Sequence, residues 1–166
     1  NEGASIKSLA ASKYGSASRT IKSTDRYFSR GITYTSYTNL GFHPRVLAAG
    51  CIFSVAGMHI HCPSENLWFT LGILSSSVTK AFLSLITDGR KFEAGYVKRI
   101  PYISWVHENA RNTKNRVSSL AEKACQATRY LSSFQEDVHD FSCPGLFVDG
   151  PRFGSLKEGC NKLTQN

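Results

Sequence analysis

At 166 residues, with 41% hydrophobic and 11% aromatic content, the chain can hold one domain with a real core and is too apolar for a disordered tail. Twenty Lys and Arg against twelve Asp and Glu leave a net charge of +8, which points to an acidic partner, nucleic acid before a membrane surface. No signal peptide is visible and no apolar run reaches the roughly 18 residues that cross a bilayer, so no membrane partner is expected.

Residues 1–24 are rich in Ser, Ala, Gly and Lys. Ile6, Leu9 and Ala10 mark one face of a short helix, the Gly15-Ser16-Ala17-Ser18 run reads as a loop, and Lys7, Lys13, Arg19 and Lys22 make the segment basic. The first residue is Asn rather than Met, as expected of a piece of a longer protein.

From Asp25 the pattern turns to strand. Ile32, Tyr34 and Tyr37 supply β-formers at the start of the stretch, and Cys51-Ile52-Phe53-Ser54-Val55 reads as a buried strand at its end, with a bend or bulge at Gly57. Between them Thr33, Thr35, Ser36, Thr38, Asn39, Gly41, His43 and Arg45 form a polar connection. Such groups hydrogen-bond base edges and phosphates, although a solvated β-connection has the same composition.

Pro63-Ser64-Glu65 opens a helix with Ser64 as its N-cap, and the apolar run Asn66-Leu67-Trp68-Phe69-Thr70-Leu71-Gly72-Ile73-Leu74 is a helix buried on several sides. A serine among Ser75, Ser76 and Ser77 caps a second helix whose apolar positions are Val78, Ala81, Phe82, Leu85 and Ile86, ending at Asp88-Gly89. This helix pair braces the sheet. Ile103 and Trp105 belong to a last short strand after Pro101. From Val106 the period becomes helical, and Ala110, Thr113, Val117, Leu120, Ala124, Ala127, Leu131 and Phe134 alternate steps of three and four, the seam of a helix that docks on another helix. The fold class is therefore α+β: a small irregular mixed sheet braced by two helices, then a long C-terminal helix. The expected organisation is a basic N-terminal segment (1–24), a recognition domain (25–105), a helical spacer (106–141) and a loosely structured tail (142–166).

Several chemistries lack their residues. Five cysteines at 51, 62, 125, 143 and 160 form no close pair, which suits reduced thiols in a cytoplasmic protein. His59, His61 and Cys62 crowd together, but no second cluster completes a tetrahedral metal set. No Gly-rich nucleotide fingerprint follows a strand, the five prolines are never adjacent as in an Asn/Asp-Pro-Pro-aromatic methyltransferase run, and no nucleophile elbow singles out a serine. The chain by itself is expected to be non-catalytic, without metal or cofactor. A hydrolase built on His59 or His61 lacks its partners.

Three segments in order resemble one family. Residues 28–57 (FSRGITYTSYTNLGFHPRVLAAGCIFSVAG) resemble the GITWS…F…R…G.IFD..G block in target-recognition domains of large DNA adenine methyltransferases. Residues 71–86 (LGILSSSVTKAFLSLI) are similar to their LG.LNSKV…FL..L helix, and residues 92–103 (FEAGYVKRIPYI) to their GD…IP.P exit. Residues 123–141 resemble the C-terminal helical spacer. Ser54 stands where the family has Asp, and Ser75-Ser76-Ser77 where it has Asn-Ser-Lys. The family includes the BREX phage-defence methyltransferases of PglX type and the type IIG restriction-modification enzymes; the type I specificity subunit shares the design.

The resemblance implies sequence-specific binding of double-stranded DNA, with adenine N6 methylated from S-adenosylmethionine by a catalytic domain elsewhere in the parent protein or in a partner subunit. Thr35, Ser36, Tyr37, Thr38, Asn39 and His43 are the expected base contacts, Asn39 being able to pair bidentately with adenine. Arg30, Arg45, Lys80, Arg90, Lys91, Lys98 and Arg99 are the expected phosphate contacts. The other reading is a protein-interaction module acting through the helical seam, to which the methyltransferase domain would dock.

Overall fold

A computed structural model describes residues 3–19, 21–102, 108–135, 137–138 and 141–142. The expected strand at Ile103 and Trp105, the side chain of Ala110 and the tail beyond Ser142 lie outside these residues. The chain divides into two compact units, Asn1–Ser119 and Leu120–Asn166.

In the first unit, helix α1 (Ala4–Tyr14) precedes strands β1 (Gly31–Thr35), β2 (Arg45–Leu47) and β3 (Gly57–Ile60), which form a three-stranded sheet in the order β2-β1-β3. Both pairings are antiparallel, with Ile32 opposite Val46 on one side and Ile60 on the other. Helices α2 (Leu67–Ser75) and α3 (Ser77–Ile86) follow, then the short α4 (Ala94–Val97) and the long α5 (Glu108–Ser132). This is an α+β fold.

Strand alternation positions the core. Ile32 and Tyr34 project from the central strand onto Leu67, Leu71 and Leu74 of α2, Leu83 of α3, Phe92 and Val97. Ile32, Tyr34, Leu67, Phe69 and Leu83 are the largest fully buried side chains. Each such burial contributes about 1.5–3 kcal/mol, which is what holds the helix pair to the sheet. Burial pushes the Tyr34 hydroxyl up to about 12.

The two bracing helices meet at Ser76, whose hydroxyl accepts from the Thr79 backbone N–H at 3.2 Å and donates to the Ile73 carbonyl at 2.7 Å. One serine thus caps α3 and closes α2, and the chain bends by 61° between Ser64–Ser75 and Ser77–Ile86. Among the described residues no single helix is long and apolar enough to cross a membrane.

Several expectations are corrected. Residues 51–54 are not strand: the Ser54 hydroxyl accepts from the backbone of Ala56 and Gly57, and this local turn replaces ladder bonds. Ile52 and Val55 are exposed, and the strand lies at Gly57–Ile60, with Gly57 its first residue rather than a bend after it. No side-chain cap opens α2, because Ser64 begins a single 3-10 turn, Ser64–Asn66. The inner face of α3 is Thr79 and Leu83, with Phe82 and Ile86 half-buried, while Val78 and Leu85 face solvent. In α1 only Ala10 is buried; Ile6 and Leu9 are exposed. Along α5 and just past its end, Leu120 and Leu131 of the seam are each 65% exposed, while Val117 and Phe134 are half-buried.

Candidate nucleic-acid interface

The chain leaves β1 at Thr35, bends at Ser36 and finds backbone partners in Ala56 and in residues 90–92. Ser36 N–H donates to the Ala56 carbonyl (2.9 Å), Thr38 N–H to the Arg90 carbonyl (2.9 Å), and Phe92 N–H to the Ser36 carbonyl (2.7 Å). Tyr37 pairs with Lys91 in an antiparallel bridge. The segment at residues 90–92 is itself set by Asp88, whose carboxylate accepts from the backbone N–H of Arg90 (3.0 Å) and Lys91 (2.9 Å). Those two bonds, with the Arg90 charge beside them, hold the Asp88 carboxyl below its usual range.

Beyond Thr38 the loop turns outward and returns through Phe42, which is buried against Tyr34 and Phe92 at ring separations of 5.2 and 5.4 Å. Phe42 therefore anchors an otherwise exposed loop, with Asn39, Leu40 and His43 on the surface. Gly41, at φ +80°, supplies the left-handed turn before the anchor.

The structure gathers part of the expected site. Arg45 on β2 donates both terminal guanidinium N–H groups toward the Thr35 hydroxyl at 3.4 Å, and Arg90 and Lys91 flank Ser36, Tyr37 and Thr38. Four of the expected base contacts carry local bonds: Thr35 with Arg45, Ser36 to the Ala56 carbonyl, Thr38 from the Leu40 N–H, and His43 with the Gly41 carbonyl. Tyr37 and Asn39 are exposed, and neither side chain hydrogen-bonds within the described residues. These two reach outward.

The remaining cations are not brought to this loop. Arg30 lies at the far end of β1, over the Trp68 ring at 5.5 Å. Lys80 on α3 and Lys98 and Arg99 after α4 are exposed, and among the described residues they share no hydrogen bond or ion pair with the loop. Of the seven expected phosphate contacts, Arg45, Arg90 and Lys91 lie beside the loop.

A recess of about 450 Å³ opens beside Tyr37, lined by Ser36, Val55, Met58, Lys91, Glu93 and Ala94. Lys91 Nζ and Glu93 Oε1 pair across its rim at 2.9 Å, which raises the Lys91 pKa. Sequence reasoning missed this feature. Its only signal was the alternation of Lys91 and Glu93 around buried Phe92, which in an extended segment puts both charges on one face.

His59 lies on β3 and His61 just after it. The rings are 6.2 Å apart, and His59 stacks on Phe53 at 4.6 Å with its Nε2 buried and unpartnered. Among the described residues no group of three or more His, Cys, Asp or Glu side chains converges. Cys51, Cys62 and Cys125 are free thiols, and burial followed by the Glu65 charge raises the Cys62 pKa.

No family model matches the chain. Over 112 residues it is 25% identical to the adenine-specific methyltransferase BrxX of Escherichia coli O9:H4 (strain HS). The similarity takes in 66% of this chain and 8% of that protein, so the chain spans a small part of that protein's length.

Proposed function

We propose that this chain is a sequence-specific duplex-DNA recognition domain that directs adenine methylation by a catalytic domain outside it. One observation carries the reading. Exposed Tyr37 and Asn39 stand on a loop pinned by Phe42 and flanked by Arg45, Arg90 and Lys91, so hydrogen-bonding side chains and cations share one end of the sheet. Cations on phosphates fix the register, and the loop tip then reads base edges in a groove. The net charge of +8 and the similarity to an adenine-specific methyltransferase support it.

In this reading residues 25–105 form the recognition part, in a cytoplasmic phage-defence or restriction-modification protein of BREX, type IIG or type I design. S-adenosylmethionine belongs to the catalytic part.

Selection of duplexes from a randomised pool tests the proposal. The full chain should enrich one short motif, and Asn39→Ala should relax preference at one base pair, costing about 1–3 kcal/mol there. Enrichment of nothing, or a motif untouched by Asn39→Ala, would move recognition off this loop.

A second reading rests on a different observation, the 65% exposure of both Leu120 and Leu131 on α5. Two exposed leucines on one face of the helix favour docking of a methyltransferase domain or partner subunit there, alongside DNA binding.

A further inference from the structure

The recess beside Tyr37 shares Ser36, Tyr37 and Lys91 with the loop and adds Val55, Met58 and Glu93, which have no role in the contacts assigned so far. Its floor and wall include Val55 and Met58, both apolar, and its rim carries an ammonium and a carboxylate paired at 2.9 Å. Val55 is 67% exposed and stands outside the core packed around β1. Both charged groups remain more than half exposed, so each keeps hydrogen-bonding capacity toward a ligand. The recess opens beside Tyr37 and Lys91 of the loop read as the DNA contact, in a chain of net charge +8, and on that reading its occupant is duplex DNA.

The major-groove edge of an adenine·thymine pair presents an N6 amino donor, an O4 acceptor and a methyl group; a guanine·cytosine pair presents no methyl. Glu93 accepts, Lys91 donates, and Val55 with Met58 offers an apolar socket. We infer that this recess is a thymine-methyl pocket, giving the loop a preference for an adenine·thymine pair next to the bases met by Tyr37 and Asn39. The inference rests on the DNA-recognition reading and assigns specificity to Val55, Met58, Lys91 and Glu93.

The test uses the full chain and its selected duplex, with each thymine replaced in turn by deoxyuridine, which removes only the methyl. One position should lose about fourfold in affinity, the worth of one buried methyl-sized group. Val55→Ala, an exposed site whose truncation leaves the core intact, should shrink that loss to within about twofold. Binding that is indifferent to deoxyuridine at every position, or a loss that Val55→Ala leaves unchanged, overturns the pocket while the recognition reading stands. Selection of no motif at all overturns both.

Discussion

His59 sits opposite Thr33 in the β1–β3 pairing with its Nε2 sealed and unpartnered. Burial is the main reason its pKa falls below the ordinary imidazole value of 6.5, with the nearby His61 and Arg26 charges adding to it. The folded state therefore takes up this proton less readily than the unfolded state. Between 6.5 and the lower folded value the unfolded chain binds more protons, so stability rises with pH there and is lost as pH falls through it. The melting temperature should drop between about pH 7 and pH 5.5, and His59→Gln should narrow that drop; equal drops in both proteins would assign the effect to other groups. Gly31 is the neighbour that makes this packing possible. A Cβ there would stand 2.1 Å from His59 Nε2 and 2.8 Å from the Ile60 carbonyl. Gly31→Ala should therefore cost about 1–3 kcal/mol, read by denaturant unfolding, as overpacking does elsewhere. Nothing in the sequence distinguishes Gly31 from the other glycines, because the constraint comes from a residue on a different strand. The same holds for His59, where the HIHC run shows ligand-type residues but not that one ring is stacked and enclosed.

At the scale of elements, local chemistry was the legible part. The serine run between two apolar segments marks a helix junction, and Ser76 takes the cap; Ser76→Ala should cost about 1 kcal/mol in thermal or denaturant unfolding. The face of α3 was misread by one position for a physical reason. Thr79 is buried with its hydroxyl donating to the Ile73 carbonyl at 2.7 Å, so a polar residue occupies the interior and Val78 is displaced outward. Leu83→Ala should accordingly cost about 2–5 kcal/mol, whereas Leu85→Ala should stay within about 0.5 kcal/mol. Comparable losses at both positions would contradict the assigned face. The strand after the polar loop was placed too early because Cys51-Ile52-Phe53 has the composition of a strand, while Ser54 spends its hydroxyl on a turn. Helix α4 spans four residues, too short for any periodicity to reveal.

Across the molecule, the composition of the polar loop is visible in sequence but its geometry is not. The polar run from Thr35 to His43 could be named as a group. Its division into inward-bonded residues and the outward-facing Tyr37 and Asn39 depends on pairing with residues 90–92, far away in the chain. The seven candidate cations likewise resolve into three beside the loop and four elsewhere, a distinction that net charge cannot make. The most direct measurement is the salt dependence of duplex binding by the full chain and by an Arg45→Ala, Arg90→Ala double variant. The account predicts a log–log slope shallower by roughly 0.9 per lost phosphate contact, about two in all, with Lys98→Ala, Arg99→Ala as a control that changes it less. A slope identical in the wild type and the Arg45, Arg90 variant would contradict the assignment of this sheet edge to DNA.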